Sequence, residues 1–236
     1  MSRPAEIARA WALSRVGHPY LYGGTGQPCT VAYRKARAAQ YPASADKIRR
    51  NCPRMAGSAS SCEGCRWYDP QEKIGKTAYD CAQLTRWCMN AAGISLVSGA
   101  TSQWTKTAWA EKGALSQMPL DRLCLVYRQD SASVMGHAGI YLGDGTVVHA
   151  KGHAEGVVRE QLNEGHRFTH YAIPQGLYGA AEEDTAAPAD VPANVSVNAP
   201  ATALTHLDAA LDALTQARQA LLALQAALRE ASHAAG

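Results

Sequence analysis

The order of apolar and polar positions predicts helices in the first half of the chain. Residues 4–16 have the three-and-four spacing of an amphipathic helix. The face expected to be buried consists of Ile7, Ala10, Trp11 and Leu13. A second helix is predicted over residues 81–92, where Gly93 is a suitable stop.

Beyond residue 120 the pattern changes to short apolar bursts separated by turns. The segments predicted as strands are 123–128, 137–143, 146–151, 157–162 and 170–175. Gly143-Asp144-Gly145 is a strong hairpin signal between two of them. Helices followed by an antiparallel meander indicate an α+β domain with a sheet of about five strands.

The composition divides the chain into a domain and an appendage. The domain is predicted over residues 1–179, with a cysteine-rich insertion over 27–78. Residues 180–203 are a Pro/Ala-rich linker. Residues 204–236 carry leucines at helical spacing and are predicted to form an amphipathic helix. We expect this helix to make the protein a homo-oligomer through a coiled-coil bundle, with packing back onto the domain as the alternative.

Charge and hydropathy exclude two classes of partner. The 236 residues are 47% hydrophobic and 18% charged, with a formal net charge of +3. That charge is too small to predict nucleic-acid binding, and no basic run with interleaved aromatics occurs. No apolar stretch approaches the roughly 20 residues of a membrane helix, so no membrane insertion is expected.

The candidate chemistry centres on Cys81, which follows Asp80 at the predicted start of a helix. A helix N-terminus favours negative charge, and an adjacent imidazole can accept the thiol proton. His137 and His149 lie on predicted neighbouring strands and differ by an even number, so we expect them on one face of the sheet. Alternatives for the third position are His153, His166 and His170.

Four segments around these residues resemble one family. GHPYLYGG (17–24), DCAQL (80–84), HAGIYLG (137–143) and VHA (148–150) are similar, in this order, to the motifs of the NlpC-type papain-like cysteine peptidases. The resemblance implies a papain-like α+β domain. It also implies thiolate attack on an amide bond of a bacterial cell-wall stem peptide, with no cofactor for catalysis.

The same resemblance implies roles for the site residues. Cys81 would be the nucleophile, His137 the general base and His149 the residue that orients it. Tyr20 would help to bind the oxyanion, together with the backbone N–H of Cys81, and Asp80 would hold a free amine of the substrate. Taken without the resemblance, Asp80 equally suits an N-cap and Tyr20 a buried aromatic.

We therefore expect a peptidoglycan hydrolase, with peptidoglycan as its partner, of the phage or prophage endolysin type. The N-terminus does not read as a secretory signal. Synthesis in the host cytoplasm is expected, followed by action at the cell wall after release, or association with a virion. The alternatives are an amidase or acyltransferase of the same fold acting on a small molecule or lipid, and an inert wall-binding or virion structural protein. Ala82-Gln83, where the family has Ser-Gly, favours the inert alternative.

The insertion carries a second cluster of candidate residues. Cys29, Cys52, Cys62 and Cys65 are predicted as ligands of a structural zinc, since the segment is too polar to form a core of its own. Disulfides and free thiols are the alternatives. Because the insertion ends just before Cys81, we expect it to border the cleft. The arginines nearby, which are more simply a solvated face, are Arg49, Arg50 and Arg54. The two cysteines predicted to be structural are Cys88 and Cys124.

Overall fold

The described part of the chain contains five α-helices, one larger sheet and two short strand pairs. The structure is a computed structural model and describes residues 2–55, 61–164 and 167–178. The helices are α1 (Arg3–Ser14), α2 (Val31–Gln40), α3 (Ala45–Arg50), α4 (Cys81–Ala91) and α5 (Ala100–Lys106). The short strands are β1 (Thr25–Pro28), β2 (Tyr68–Asp69), β3 (Ile74–Gly75) and β4 (Thr77–Tyr79). The strands of the larger sheet are β5 (Trp109–Ala114), β6 (Cys124–Ser131), β7 (Val134–Tyr141), β8 (Thr146–Gly152), β9 (Gly156–Gln161) and β10 (His170–Pro174).

The larger sheet is antiparallel throughout, in the order β5-β10-β6-β7-β8-β9. The predicted α+β class is therefore confirmed, and all five predicted strands are present. The sequence pattern missed β5, which alternates between half-buried and exposed positions at one edge of the sheet. The predicted linker and C-terminal helix, residues 180–236, lie outside the described residues. Their boundaries and the predicted oligomer stay predictions.

Helix α1 is present, but its predicted buried face is wrong. The residues it buries completely are Ala5, Ala8 and Ala12, whereas Ile7 is 40% exposed. Small side chains allow the backbones of α1 and α4 to approach closely, and the Cys88 thiol donates a hydrogen bond to the Ala8 carbonyl across 3.3 Å. The buried face of this amphipathic helix consists of alanines. A pattern search that looks only for large apolar residues does not find such a face.

Helix α4 lies between α1 and the sheet and forms the centre of the core. Leu84, Cys88 and Met89 are fully buried on it. The helix packs chiefly against β7, β8 and α1. Its first residue is thereby fixed next to the middle strands of the sheet. Among the helices of the described segments, none combines the length and apolarity required to cross a bilayer.

The insertion leaves and re-enters the domain at one point. Strand β1 pairs antiparallel with β4, where Pro28 faces Thr77. Between them, α2 and α3 form a small apolar cluster, so the expectation that this segment has no core of its own was wrong. The members of that cluster are Leu21, Cys29, Ala38, Ala45, Ile48 and Ala78. Alanines at helical spacing supply much of it, and these contribute little to an apolar signal in the sequence.

A buried polar network supports the first turn of α4. The Gln103 amide Nε2 donates to the Ala82 carbonyl at 2.8 Å. Its Oε1 accepts from the hydroxyls of Thr85, at 3.0 Å, and Tyr127, at 3.2 Å. Gln103, Thr85 and Tyr127 are all fully buried. This amide therefore satisfies three polar groups that cannot reach water.

Replacing Gln103 by leucine should lower the free energy of unfolding by about 1–3 kcal/mol, because the Tyr127 hydroxyl loses its acceptor in the core, whereas the Thr85 hydroxyl can still donate to the Ala82 carbonyl at 2.9 Å. Urea denaturation of the variant and the wild type measures the difference. The matched control is Gln175→Leu at an exposed position, which should change stability by less than about 0.5 kcal/mol. Equal stability of the two variants would contradict the role given to Gln103.

Candidate active site

Cys81 is the first residue of α4 and follows an N-cap. The Asp80 carboxylate accepts a hydrogen bond from the Gln83 N–H at 2.7 Å, which caps the helix. The Ala138 backbone N–H, on β7, donates to the Cys81 sulfur. Desolvation of the thiol, with the nearby Asp80 charge, raises the pKa of Cys81 to about 12, although the backbone donors act in the opposite direction. At neutral pH the thiol therefore needs a base to become a nucleophile.

The two predicted histidines meet on the sheet. His137 lies on β7 and His149 on β8, and the His137 Nε2 is 2.8 Å from the His149 Nδ1. Their side chains are buried, at 5% and 0% exposure. The His149 Nε2 is in turn 2.9 Å from Oε1 of Glu160 on β9. The other Glu160 oxygen accepts a hydrogen bond from the Lys151 ammonium at 2.6 Å.

This chain of contacts defines which ring nitrogens carry protons. Desolvation opposes ionisation of Glu160, but the hydrogen bonds from Lys151 and His149 outweigh it and lower the pKa of Glu160. The carboxylate only accepts, so the His149 Nε2 must donate to it. The His149 Nδ1 of a neutral ring then accepts from the His137 Nε2–H, and the His137 Nδ1 is left as an acceptor.

Glu160 and Lys151 were missed by the sequence analysis, although the strand register explains their positions. His149 is paired with Val158, and residues two apart on a strand share a face. Glu160 therefore lies diagonally across from His149, and Lys151 follows His149 by two residues on the same strand. The sequence did contain one signal for Glu160. It lies on the predicted strand 157–162, two residues from Val158 and so on the same face of that strand.

Phe168 holds both imidazoles and is a second residue that the sequence analysis did not single out. Its ring centroid is 5.7 Å from that of His137 and 5.7 Å from that of His149. Gly139 makes room for this packing, since a Cβ there would lie 2.7 Å from Val147 and 3.1 Å from Phe168. Packing against Phe168 thus positions both histidine rings, in addition to their hydrogen bonds.

Tyr20 lies beside the residues that precede Cys81. Its segment runs along Tyr79, where the Leu21 N–H donates to the Tyr79 carbonyl at 2.9 Å. Burial, followed by the charges of Cys81 and Asp80, raises the pKa of Tyr20. Its phenol therefore keeps its proton and can donate a hydrogen bond.

The insertion borders a cavity next to Tyr20, whose lining does not include Cys81, His137 or His149, so the expectation that the insertion borders the catalytic cleft stays a prediction. The cavity has a volume of about 430 Å³. The insertion contributes one wall, and the turn between β8 and β9 contributes the opposite one. Its lining residues on these walls include Ser44, Lys47, Asn51, Lys151, His153 and Glu155.

The His149 ring is in contact with the His137 ring, with centroids 5.0 Å apart. His153 instead packs edge-on against Tyr20 at 4.8 Å and accepts the Tyr22 N–H at 3.3 Å. Burial, together with the charges of Arg34 and Lys47, lowers the pKa of His153 to about 4. His170 contacts Thr169. His166 lies outside the described residues.

The departure from the family motif at Ala82-Gln83 has a structural explanation. Both residues are 4% exposed. The Gln83 amide donates to the Ser98 hydroxyl at 2.7 Å. Both side chains are therefore part of the packing and hydrogen bonding of the first turn of α4.

All seven cysteines are free thiols in the structure. Cys88 and Cys124 are fully buried in the main core, as the structural interpretation requires. Within residues 2–55, 61–164 and 167–178, no three His, Cys, Asp or Glu side chains share the geometry of a formed metal site. The zinc prediction for Cys29, Cys52, Cys62 and Cys65 stays a prediction.

The three arginines of the insertion differ in their surroundings. Arg49 forms an exposed ion pair with Asp46 at 3.1 Å. Arg50 and Arg54 line a separate cavity of about 510 Å³, together with Arg66 and Trp67. This cavity does not include Cys81 or either histidine of the pair.

Comparison with known proteins identifies a family model and several relatives. The model of the NlpC/P60 family matches residues 66–174. A peptidoglycan DL-endopeptidase of Bacillus licheniformis, CwlO, is 37% identical over 79 residues, which cover 34% of this chain and 17% of that protein. The match therefore spans a small part of that relative.

Solved structures of the same type align with the chain at low identity. The NlpC/P60 domain of the peptidoglycan hydrolase SagA is 18% identical, with a TM-score of 0.41, over 72% of this chain and 97% of the other. A hypothetical invasion protein of Mycobacterium tuberculosis is 20% identical, with a TM-score of 0.43, over 72% of this chain and 61% of the other.

The environment of Asp80 predicts a stability that depends on pH. Burial raises the pKa of Asp80 from its ordinary 3.8 to about 6. The folded state holds this proton up to about pH 6, whereas the unfolded chain loses it near 3.8, so stability is lost as the pH rises through this window. Asp80→Asn keeps the capping oxygen without the charge. The variant should gain about 1 kcal/mol at pH 7.5 and nothing at pH 3.5. Urea titrations at both pH values measure the gain, and a variant less stable than the wild type at pH 7.5 would contradict the assignment.

Proposed function

Because residues 66–174 of this chain match the model of the NlpC/P60 family, we propose that the protein is a cysteine endopeptidase that cleaves amide bonds in the stem peptides of peptidoglycan. The observation that carries the proposal is the hydrogen-bonded chain His137–His149–Glu160 next to a cysteine at a helix N-terminus. The name of the Bacillus licheniformis relative supports the substrate class. The origin as a phage or prophage endolysin stays a prediction.

The reaction begins with transfer of the Cys81 proton to the His137 Nδ1, the nitrogen that the tautomer chain leaves as an acceptor. The thiolate then attacks the carbonyl carbon of the scissile amide, and the C=O electron pair moves to the oxygen. The imidazolium formed on His137 is stabilised through His149 by the Glu160 carboxylate. This relay compensates for the burial that raises the pKa of the thiol.

Two hydrogen-bond donors are assigned to the oxyanion of the tetrahedral intermediate. One is the backbone N–H of Cys81 in the first turn of α4, where the helix dipole also favours negative charge. The other is the phenol of Tyr20, which burial keeps protonated. Collapse of the tetrahedral intermediate expels the amine, which takes the proton from His137, and leaves a thioester on Cys81.

Deacylation reverses these roles. A water gives one proton to His137 and adds its oxygen to the thioester carbonyl. The departing Cys81 sulfur recovers that proton, and the carboxylic acid is released. Asp80, ionised above about pH 6, is assigned to bind a free amine of the stem peptide, while its other oxygen caps α4. Both roles that the sequence allowed for Asp80 are then used together.

The first test digests purified murein of several wall types with the wild type and with Cys81→Ala. The wild type should release new stem-peptide fragments with free amino ends, and the variant should release none, because it lacks the nucleophile. Mass spectrometry of the soluble fragments measures both. Intact murein combined with rapid alkylation of Cys81 would favour an acyltransferase of the same fold. Binding to murein without cleavage would favour the inert wall-binding alternative.

The second test concerns Glu160, which positions and polarises the histidine pair without touching the substrate. Glu160→Gln should lower kcat/KM at least about tenfold, equivalent to about 1.4 kcal/mol of activation free energy. Loss of the negative charge destabilises the imidazolium, so the acid limb of the pH profile should move to lower pH. Assays on a defined stem peptide across pH measure both effects.

The matched control for this test is Glu164→Gln, an exposed glutamate. It should leave the rate and the pH profile unchanged. If Glu160→Gln also retains the wild-type rate and profile, the relay through Glu160 is wrong.

A further inference from the structure

The cavity of about 510 Å³ in the insertion is lined by three arginines, Arg50, Arg54 and Arg66. Within the described segments, none of the three forms an ion pair, and no acidic side chain is among the residues that line the cavity. Three cations around one cavity repel one another and produce a positive potential inside it. A bound anion would relieve this repulsion, so the charge of the lining favours an anionic ligand.

Arg66 and Trp67 attach the insertion to the turn between β8 and β9. The Arg66 guanidinium donates a hydrogen bond to the Ala154 carbonyl in that turn, and it lies 4.2 Å from the centre of the Trp67 ring. Trp67 is 7% exposed. Its ring packs on the backbone of Gly156, where a Cβ would lie 2.5 Å from the indole. These contacts fix the two walls of the cavity relative to each other.

Arg54 occupies the space that Gly64 leaves beside the cavity. A Cβ on Gly64 would lie 2.6 Å from the Arg54 Nη2, and the φ of +75° at this position also favours glycine. Arg54 is half-buried, whereas Arg50, the last residue of α3, is exposed. A guanidinium presents its N–H donors in a planar fork that matches the two oxygens of a carboxylate. The lining therefore suits a carboxylate in shape as well as in charge.

The arginine-lined cavity adjoins the cavity beside Tyr20. Asn51 and Ala154 line both of them, so they share a boundary between the insertion and the β8–β9 turn. Tyr20 is the residue assigned above to the oxyanion. A ligand that occupies the cavity beside Tyr20 can therefore continue directly to the arginines.

The charges of the neighbouring cavity favour a peptide with single carboxylates over a polymer of phosphates. The cavity beside Tyr20 is lined by both Glu155 and Lys151, and Lys151 is already paired with Glu160 at 2.6 Å. A polymer with a phosphate in every unit would bring negative charge against Glu155. A peptide whose carboxylate reaches the arginines can pass the same boundary with a neutral segment.

We propose that the cavity lined by Arg50, Arg54 and Arg66 binds a free carboxylate of a peptidoglycan stem peptide, which makes the insertion a substrate-selecting element. This inference rests on the proposed function, since it takes its ligand from the same polymer. The volume of about 510 Å³ lies in the range of small-ligand sites, and Trp67 adds an apolar surface beside the charged groups. Stem peptides whose carboxylates are amidated should therefore bind less tightly.

The test measures binding of soluble murein fragments by calorimetry, with the fragments either native or converted to amides at their carboxylates. All proteins carry Cys81→Ala in the full chain, so that the fragments are not cleaved. Native fragments should bind about tenfold or more tightly than amidated ones. Arg50→Gln combined with Arg54→Gln should abolish that difference. Equal binding of the two fragment forms, or no binding of either, would overturn the proposal.

The matched control is Arg49→Gln, which removes an exposed arginine of the same helix that pairs with Asp46 and does not line the cavity. It should retain the full preference for native fragments. If the double variant is unfolded by circular dichroism, Arg50→Gln alone, at an exposed position, should still reduce the preference about threefold. The same loss in Arg49→Gln as in Arg50→Gln would contradict the assignment.

Two further outcomes separate this proposal from its rivals. If a phosphate polymer, teichoic acid, displaces the native fragments at a lower concentration of charged groups than free murein fragments do, the ligand is a phosphate and the carboxylate assignment is wrong. Cleavage of murein by the wild type, together with binding that ignores amidation, would overturn the cavity assignment and leave the proposed function standing. Carboxylate-dependent binding without any cleavage would support the cavity assignment and overturn the proposed function.

Discussion

The hydrogen-bond chain from Glu160 through His149 to His137 is the constraint on which the site depends. The hydrogen bond between two neutral imidazoles can run either way, with either ring as the donor. Only when His137 donates to His149 does the His137 Nδ1 remain an acceptor. The carboxylate decides the direction because it cannot donate. Lys151 in turn keeps the carboxylate ionised. The ion pair between Lys151 and Glu160, at the β9 edge of the sheet, therefore determines that the His137 Nδ1 carries no proton.

The sheet makes this chain possible by its register. Three adjacent strands, β7, β8 and β9, each contribute one member, and the antiparallel pairing brings the members to one face. Helix α4 packs on β7 and β8, and its first residue, Cys81, accepts a hydrogen bond from the N–H of Ala138, the neighbour of His137 on β7. The buried amide of Gln103 fixes that first turn from behind. The same contacts thus pack the core and position the residues proposed for catalysis.

Much of the site could be predicted from the sequence because its parts are local. Cys81 at a helix start and His137 and His149 around a Gly-Asp-Gly turn are readable from short motifs and strand parity. Glu160 was not, because its role depends on the register between two strands, which strand patterns do not give. The same limit applies to the insertion, whose core is built largely of alanines and cysteines. Strand β5 was missed for a different reason, since a half-exposed edge strand has little apolar signal.

The β1–β4 pair has a consequence for how this domain can vary. Since Pro28 and Thr77 face each other, the chain between them begins and ends at neighbouring points, and closing a longer or shorter loop there changes the conformational entropy only slowly with length. Segments of different size and content can be exchanged at this junction without moving Cys81. The residues proposed for catalysis and the wall of the cavity beside Tyr20 can therefore vary separately, the first through the sheet and the second through the segment between these two residues.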